Sequence, residues 1–336
     1  MKSSFPLFSK NRVVGLLDKC LSTEYINYQQ VIAIIIPVLI DQAFIVCLNM
    51  LNTAMISSSG AAAVSAVSMV DSLNLFLLNI FISIATGGTV VVAQYKGSHN
   101  DAMASKSTAQ AVAVVGLSGI VIAAVMILFH SPALSLLFSG AEADVMENAR
   151  IYFLGSCISY PCYALYQAVC CSLRGVGHTK SSMMLSIITN ISYVLLNVVF
   201  ITILQMGVLG LSISLNLSRL LGMLCSIVYL LKFENAIRIR LREIFKFDFS
   251  IQKKILFIGI PFATEQVFFH GGKIITQTFI VQLGTFPMAA NAICNSFMSL
   301  YQIPAQALNL SIVTVVGQCI GADDQKGARK LIKSFL

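Results

Sequence analysis

Long apolar runs alternate with short charged segments along almost the whole of this 336-residue chain. Trimmed at charges and turn residues, the runs fall near 29–56, 62–94, 108–129, 150–173, 181–204, 208–231, 255–283 and 287–319. A helix needs about 20 apolar residues to cross the hydrocarbon core of a bilayer. Helices also satisfy the backbone polar groups that lipid leaves unpaired. The pattern therefore predicts eight membrane-spanning helices.

The first, second, seventh and eighth runs are longer than a bilayer requires. Such helices are expected to tilt, to kink or to project beyond the hydrocarbon. Pro37, Pro161, Pro261 and Pro304 lie inside these runs or near their starts. Proline is a common cause of helix kinks, so these four positions are the predicted kink sites.

The composition excludes a water-soluble globule. Hydrophobic residues make up 57% of the chain, charged residues 11%, and the mean hydropathy is +0.83, whereas soluble domains contain about 25% charged residues. The nine cysteines have no metal-site spacing, and we interpret them as small buried hydrophobic residues. Residues 1–28 are too charged for a cleavable signal peptide. We predict an all-α, polytopic membrane protein.

The positive charges predict an orientation. If the N-terminus is cytoplasmic, 19 of the 22 Lys and Arg residues fall in inner segments, and the outer loop 130–149 carries acidic residues instead. Cytoplasmic loops of membrane proteins are enriched in Lys and Arg. We therefore expect a multi-pass protein of the inner or plasma membrane with a cytoplasmic N-terminus. The net charge of +8 is then no indication of nucleic-acid binding.

The segment 233–254 alternates basic and apolar residues and is too short to span a membrane. One interpretation is a basic amphipathic helix that lies on the inner membrane surface. The alternative is a solvated linker. Both interpretations make the segment a hinge between the sixth and seventh predicted spans.

The chain contains an internal repeat. A shift of 224 residues without a gap aligns IPVLIDQ (36–42) with IPFATEQ (260–266). The same shift pairs Gly60 with Gly284, Ala66 with Ala290, Ser72 with Ser296, Gln94 with Gln318, Gly97 with Gly321 and Lys106 with Lys330. Six spans separate equivalent points, so both copies enter the membrane from the same side and form a parallel repeat.

The repeat predicts the domain organisation. Two units of 224 residues make about 448, and position 336 is equivalent to position 112, where the third span of the unit begins. We expect a chain truncated after the eighth span. Its parts are a cytoplasmic N-terminal segment (1–28), a complete six-helix lobe (29–231), a basic linker (232–254) and the first two spans of a second lobe (255–336).

Four motifs, in order and at characteristic spacing, resemble one known family. They are PVLIDQ (37–42) with LNTAMISSSG (51–60), AAAVSAVSMVDSLN (61–74) with ATGGTVVVAQYKG (85–97), SLRGVGHTK (172–180) and GIPFATEQVFFHGGKIITQTFIVQLGTFPMAANAICN (259–295). Together with the repeat, they resemble the multidrug and toxic compound extrusion (MATE) antiporters. The resemblance covers essentially the whole chain and implies two six-helix lobes that face each other across a central cleft.

The resemblance also implies a function that is not enzymatic. It is the Na⁺- or H⁺-coupled export of amphipathic, often cationic drugs by alternating access, with no cofactor besides the coupling ion. The implied partners are the lipid bilayer and small organic cations, and we expect a monomer. With half of the cleft wall outside residues 1–336, we expect this chain alone not to perform coupled transport.

Two alternatives stay open at this point. One is a lipid-linked precursor flippase of related architecture. The other is an intramembrane serine hydrolase, because residues 116–119 match a G-x-S-G pattern around Ser118 and His270 is a distant candidate base. Small residues in a packed helix explain the same match.

The sequence departs from the family at both coupling positions. The family commonly has an acidic residue fifteen positions after the proline of the first span, where this chain has Asn52. In the seventh span the acidic residue is Glu265, one helical turn before its usual place, which is occupied here by Phe269.

Carboxylates within the spans are the first candidates for the site. A carboxylate at bilayer depth costs at least about 2.5–3.5 kcal/mol, so we expect Asp41, Asp71 and Glu265 to face a cavity or a partner. Eleven residues separate Asp41 from Asn52, which places them about 20° apart around one helix. The alternative is that these carboxylates only form hydrogen bonds near helix ends or pair locally.

The predicted ion-coupling and substrate residues are Asp41, Glu265, Asn52, Gln42, Gln266, Asp71 and Lys273. Lys273 is included because it is the only lysine within a predicted span. No catalytic residue and no metal ligand is predicted.

Overall fold

The computed structural model describes residues 10–56, 60–138, 143–234, 237, 241–244, 246–282 and 285–335. Within these ranges the regular structure is entirely helical, which confirms the predicted fold class. The helices are α1 (Lys10–Leu21), α2 (Tyr28–Ile56), α3 (Ala61–Gly97), α4 (Asp101–Leu128), α5 (His130–Phe138), α6 (Ala143–Gly175), α7 (Thr179–Asn197), α8 (Gly207–Lys232), α9 (Leu241–Ile244), α10 (Phe249–Gln282), α11 (Thr285–Gly321) and α12 (Gln325–Phe335). One π-helical stretch, Val198–Ile203, extends α7.

Each predicted apolar run corresponds to one long helix, namely α2, α3, α4, α6, α7, α8, α10 or α11. The four predicted kink prolines all lie inside helices. α4 begins at Asp101, before its apolar run, because the Asn100 side chain accepts a hydrogen bond from the backbone N–H of Met103 and caps the helix.

Among the described residues, six helices are long and apolar enough to cross a membrane by composition alone. α6 and α10 are long enough but are not among the six. α6 is central to the predicted first lobe, where it packs along α3, α4 and α8, and most of its residues are buried. A helix that faces other helices does not need the apolar surface that lipid requires, so its polar side chains meet protein partners.

The helices of the predicted second lobe pack on the first. α10 lies along α3, and α11 lies along α3 and α2. α10 and α11 contact each other far less than they contact α3. α3 therefore makes the largest part of the contact between the two parts of the chain, and α2 adds to it.

The described part of 233–254 does not form one continuous amphipathic helix. It contains the short helix α9 and the first turns of α10, with non-helical residues between them. The non-helical residues end at Asp248. Its Oδ1 accepts hydrogen bonds from the backbone N–H groups of Ser250 and Ile251 and so caps α10.

Candidate functional site

Asp41 is buried on α2, with 5% of its surface exposed. Its carboxylate interacts with the hydroxyl of Ser186 on α7 and electrostatically with the guanidinium of Arg174 at the end of α6. The Oδ1 oxygen has no hydrogen-bond partner in the part of the chain that the structure describes. Because an unpaired buried charge is costly, this oxygen is suited to hold a proton or a small cation.

Arg174 is a candidate residue that the sequence pattern does not reveal. It lies beside the loop after a predicted span, so the sequence predicts one of the cytoplasmic cations. In the structure only 7% of its surface is exposed. Its Nη2 donates to Sγ of Cys171 at 3.1 Å, and its charge interacts with Asp41. The only sequence signal is a basic residue in the last turn of an apolar helix, which is also common at helix ends near the membrane surface.

Asn52 joins α2 to the end of α7. Nδ2 of Asn197 donates to Oδ1 of Asn52 at 3.0 Å, and Asn197 is fully buried. The Oδ1 of Asn197 has no hydrogen-bond partner among the described residues. Amide oxygens can bind a hard cation, but an amide does not take up a proton near neutral pH. This pair is therefore suited to a metal cation and not to a proton.

Asp71 belongs to a hydrogen-bonded network between α3 and α6. The hydroxyl of Tyr152 donates to Oδ1 of Asp71 at 2.8 Å. One turn further along α3, Oδ1 of Asn74 accepts from the hydroxyl of Tyr160 at 2.6 Å, and Nδ2 of Asn74 donates to Oγ of Ser156 at 3.0 Å. The carboxylate of Asp71 thus has a partner on another helix.

Arg219 on α8 lies close to the same network. Its Nη1 donates to Oγ of Ser159 at 2.6 Å, and its guanidinium lies 4.7 Å from the centre of the Tyr163 ring. It interacts electrostatically with Asp71 without a direct ion pair among the described residues. The cation–π contact and the hydroxyl hold the guanidinium inside the lobe.

The structure does not bring the remaining predicted residues to Asp41. Glu265 is exposed on α10, and Gln266 beside it is partly buried. Lys273 is exposed and lies over the ring of Phe269 at 4.7 Å. Gln42 is partly buried on α2. No hydrogen bond or ion pair in the described ranges joins any of these side chains to Asp41.

The arrangement around Ser118 does not resemble a hydrolase site. Its hydroxyl donates to the backbone carbonyl of Val115 in its own helix at 2.7 Å. His270, the candidate base, is on α10 with its ring against Phe269. A nucleophilic serine needs a base within hydrogen-bond reach. The described residues also contain no cluster of three or more His, Cys, Asp or Glu residues that could hold a metal ion.

The sequence pattern of the family named MatE matches residues 37–203 and 261–336. An uncharacterized transporter, YisQ of Bacillus subtilis, is 25% identical over 296 residues, which are 85% of this chain and 63% of YisQ. A probable multidrug resistance protein, NorM of Thermotoga maritima, is 24% identical over 312 residues, which are 91% of this chain and 66% of that protein. The chain therefore spans less than two thirds of the length of these relatives.

A solved structure shows a similar arrangement of helices. A MOP superfamily transporter from Pyrococcus furiosus superposes with a TM-score of 0.85 and 19% sequence identity, over 96% of this chain and 70% of that one. At this level of identity the likeness establishes the fold.

Proposed function

The chain belongs to the MatE family of membrane transporters, and from this premise we propose that it is a cation-coupled secondary antiporter. Members of this family are transporters and not enzymes, and the apolar helices make this chain a multi-pass membrane protein. The proposed activity is export of amphipathic, often cationic organic compounds in exchange for Na⁺ or H⁺. Alternating access of two lobes exposes one site first to one side of the membrane and then to the other.

The buried carboxylate of Asp41 is the observation that carries this proposal. One of its oxygens has no partner among the described residues, and the cation near it, Arg174, is not within ion-pair distance. A carboxylate in this state can bind either a proton or Na⁺, and the two states differ in charge inside the membrane. Such a group can link the movement of an ion to a change of conformation.

Glu265, Gln42, Gln266 and Lys273 complete the proposed set of coupling and substrate residues in spans one and seven. Glu265 is the repeat equivalent of Asp41, so the pair supplies one carboxylate to each lobe. In this proposal Asn52 supports a bound cation through its carbonyl oxygen. Asp71 has a smaller role, because Tyr152 already occupies one of its oxygens.

We further propose that the N-terminus is cytoplasmic and that the protein acts as a monomer in the plasma membrane. The distribution of Lys and Arg supports this orientation. The proposed partners are the bilayer and small organic cations, and nucleic acid is not among them.

Ethidium accumulation tests the function. The protein is expressed from its complete reading frame in cells that lack their own exporters, and these cells are expected to accumulate less of this amphipathic cation than control cells. A protonophore should abolish the difference if H⁺ is coupled, and removal of external Na⁺ should abolish it if Na⁺ is coupled. Equal accumulation across a panel of organic cations, with the protein inserted normally, would contradict the proposal.

A further inference from the structure

Two polar contacts join the repeats on the side of the molecule where α3 ends. In the first contact, Nζ of Lys106 on α4 lies 2.5 Å from Oδ2 of Asp248, just before α10. Gln110, one turn along α4, donates from Nε2 to the backbone carbonyl of Lys246 at 2.8 Å. Its Oε1 accepts from the backbone N–H of Asp248 at 3.0 Å and from Nε2 of Gln252 at 2.9 Å. The start of α4 thus holds the segment that enters the second repeat.

The second contact uses the repeat-equivalent donor positions with different acceptors. Nζ of Lys330 on α12 donates to the backbone carbonyl of Ser22 at 2.6 Å, just before α2. Oγ of Ser334 donates to the backbone carbonyl of Cys20 at 2.9 Å. A shift of 224 residues pairs Lys106 with Lys330 and Gln110 with Ser334, so the donors of the two contacts occupy equivalent positions. α12 therefore holds the segment that enters the first repeat.

An apolar cluster beside each contact follows the same relation. One cluster contains Val31, Ile34, Val315 and Cys319, and the other contains their equivalents Ile255, Ile258, Val91 and Tyr95. Each cluster combines side chains from both repeats. Burial of apolar surface supplies most of the free energy of such an interface, and the polar contacts fix its register.

We propose that these two contacts and their apolar clusters form an inter-repeat latch, which holds the two repeats together on this side and must open during transport. The existence of the latch does not depend on the proposed function. Only the statement that the latch opens during transport rests on it. Separation of the repeats must break both contacts, because each contact joins residues of both repeats. Of the two contacts as described, only the first contains an ion pair, so charge controls the latch there.

Cys319 reports the state of the latch. It is fully buried in one apolar cluster, and its Sγ lies 3.8 Å from Oγ1 of Thr23, in the segment before α2. A maleimide can reach this thiol only when the repeats separate. Cys157 is also fully buried, but within the core of the first lobe, so it reports unfolding of that lobe. Mass spectrometry of cysteine-containing peptides measures the labelling of both residues in one sample.

The decisive variant is Asp248→Asn, which removes the charge and keeps an oxygen that can cap α10. We expect labelling of Cys319 to rise by about threefold, the effect of a partly exposed ion pair, with labelling of Cys157 unchanged. The variant Lys106→Met should give the same result from the other side of the ion pair. The matched control is Asp101→Asn, which breaks the pair with Lys96 within a single repeat and should change neither thiol.

Unchanged labelling of Cys319 in Asp248→Asn and Lys106→Met would overturn the latch, and so would an equal rise in the control. If a variant also exposes Cys157, it has unfolded the first lobe, and the test is then made on the native protein. Raising NaCl from about 0.05 to 1 M screens the ion pair and should increase labelling of Cys319 alone. The readout needs no transport. A normal labelling response without efflux would keep the latch and reject antiport, and efflux without the response would reject the latch alone.

Discussion

Gly97 and Gly321, which are equivalent in the repeat, touch each other's helix where α3 and α11 cross. A β carbon on Gly97 would overlap the backbone carbonyl oxygen of Gln318, and one on Gly321 would overlap that of Gln94. The two glutamines are themselves repeat equivalents. The crossing therefore lies on the axis that relates the repeats, and the two helices are in backbone contact there.

Replacing either glycine should separate the helices. In Gly97→Ala the new methyl group meets backbone atoms, which cannot move aside as a side chain can. We expect the free energy of unfolding in detergent to fall by about 1–3 kcal/mol, measured by thermal or denaturant unfolding. The matched control is Gly272→Ala on α10, where a β carbon meets nothing within 4 Å and stability should not fall. Equal effects at both positions would show that the crossing tolerates a side chain.

Removal of the proposed coupling carboxylates should abolish ion-driven efflux. Asp41→Asn and Glu265→Gln should each reduce efflux of ethidium by more than about tenfold, because an amide cannot exchange a proton or carry a charge. Asp71→Asn should be milder. Asp101→Asn, at an exposed ion pair, serves as the control. Normal efflux by both coupling variants, at normal membrane insertion, would assign Asp41 and Glu265 to hydrogen bonding at helix ends.

Asp41 and Arg174 should be energetically coupled. Arg174→Gln leaves a buried carboxylate without its nearby cation, and Asp41→Asn leaves a buried cation without its carboxylate. In the double variant neither charge remains, so its destabilisation should be less than the sum of the two by about 0.5–3 kcal/mol. A double-mutant cycle of unfolding free energies measures this difference. Additive effects would mean that the two groups do not interact.

The loop ion pair of His178 and Glu234 should make stability depend on pH. Nδ1 of His178 lies 2.9 Å from Oε2 of Glu234, and the hydrogen bond from His178 to this carboxylate raises the pKa of His178 above 6.5. A raised folded-state pKa stabilises the protein fully below the unfolded-state value and loses that effect as the pH rises through the folded-state value.

Thermal unfolding of the native protein and of Glu234→Gln measures this effect. The stability advantage of the native protein should be greatest near about pH 6 and should decline as the pH is raised above the His178 pKa. His178→Asn, which removes the titrating ring, should lose the same pH dependence. A constant difference in Tm between native protein and Glu234→Gln from about pH 5 to 9 would contradict the ion pair.

The sequence alone determined the class of fold, the eight long helices and the repeat. The class of fold and the helices follow from local physics, because a run of about 20 apolar residues must satisfy its own backbone in lipid. The repeat follows from comparing the sequence with itself. The even number of spans between equivalent points likewise predicts a parallel repeat. The sequence also singled out Asp41 as a carboxylate that needs a partner, since its cost in the membrane does not depend on which helices surround it.

The tertiary structure alone decided which groups meet. Hydropathy shows that a helix is apolar but not which face contacts which neighbour, so Arg174 was grouped with the loop cations although it is buried near Asp41. For the same reason Glu265, the sequence equivalent of Asp41, is exposed on α10 instead of buried. The link from Lys106 to Asp248 crosses 142 residues. Contacts of that range depend on how whole helices pack, and no local pattern encodes them.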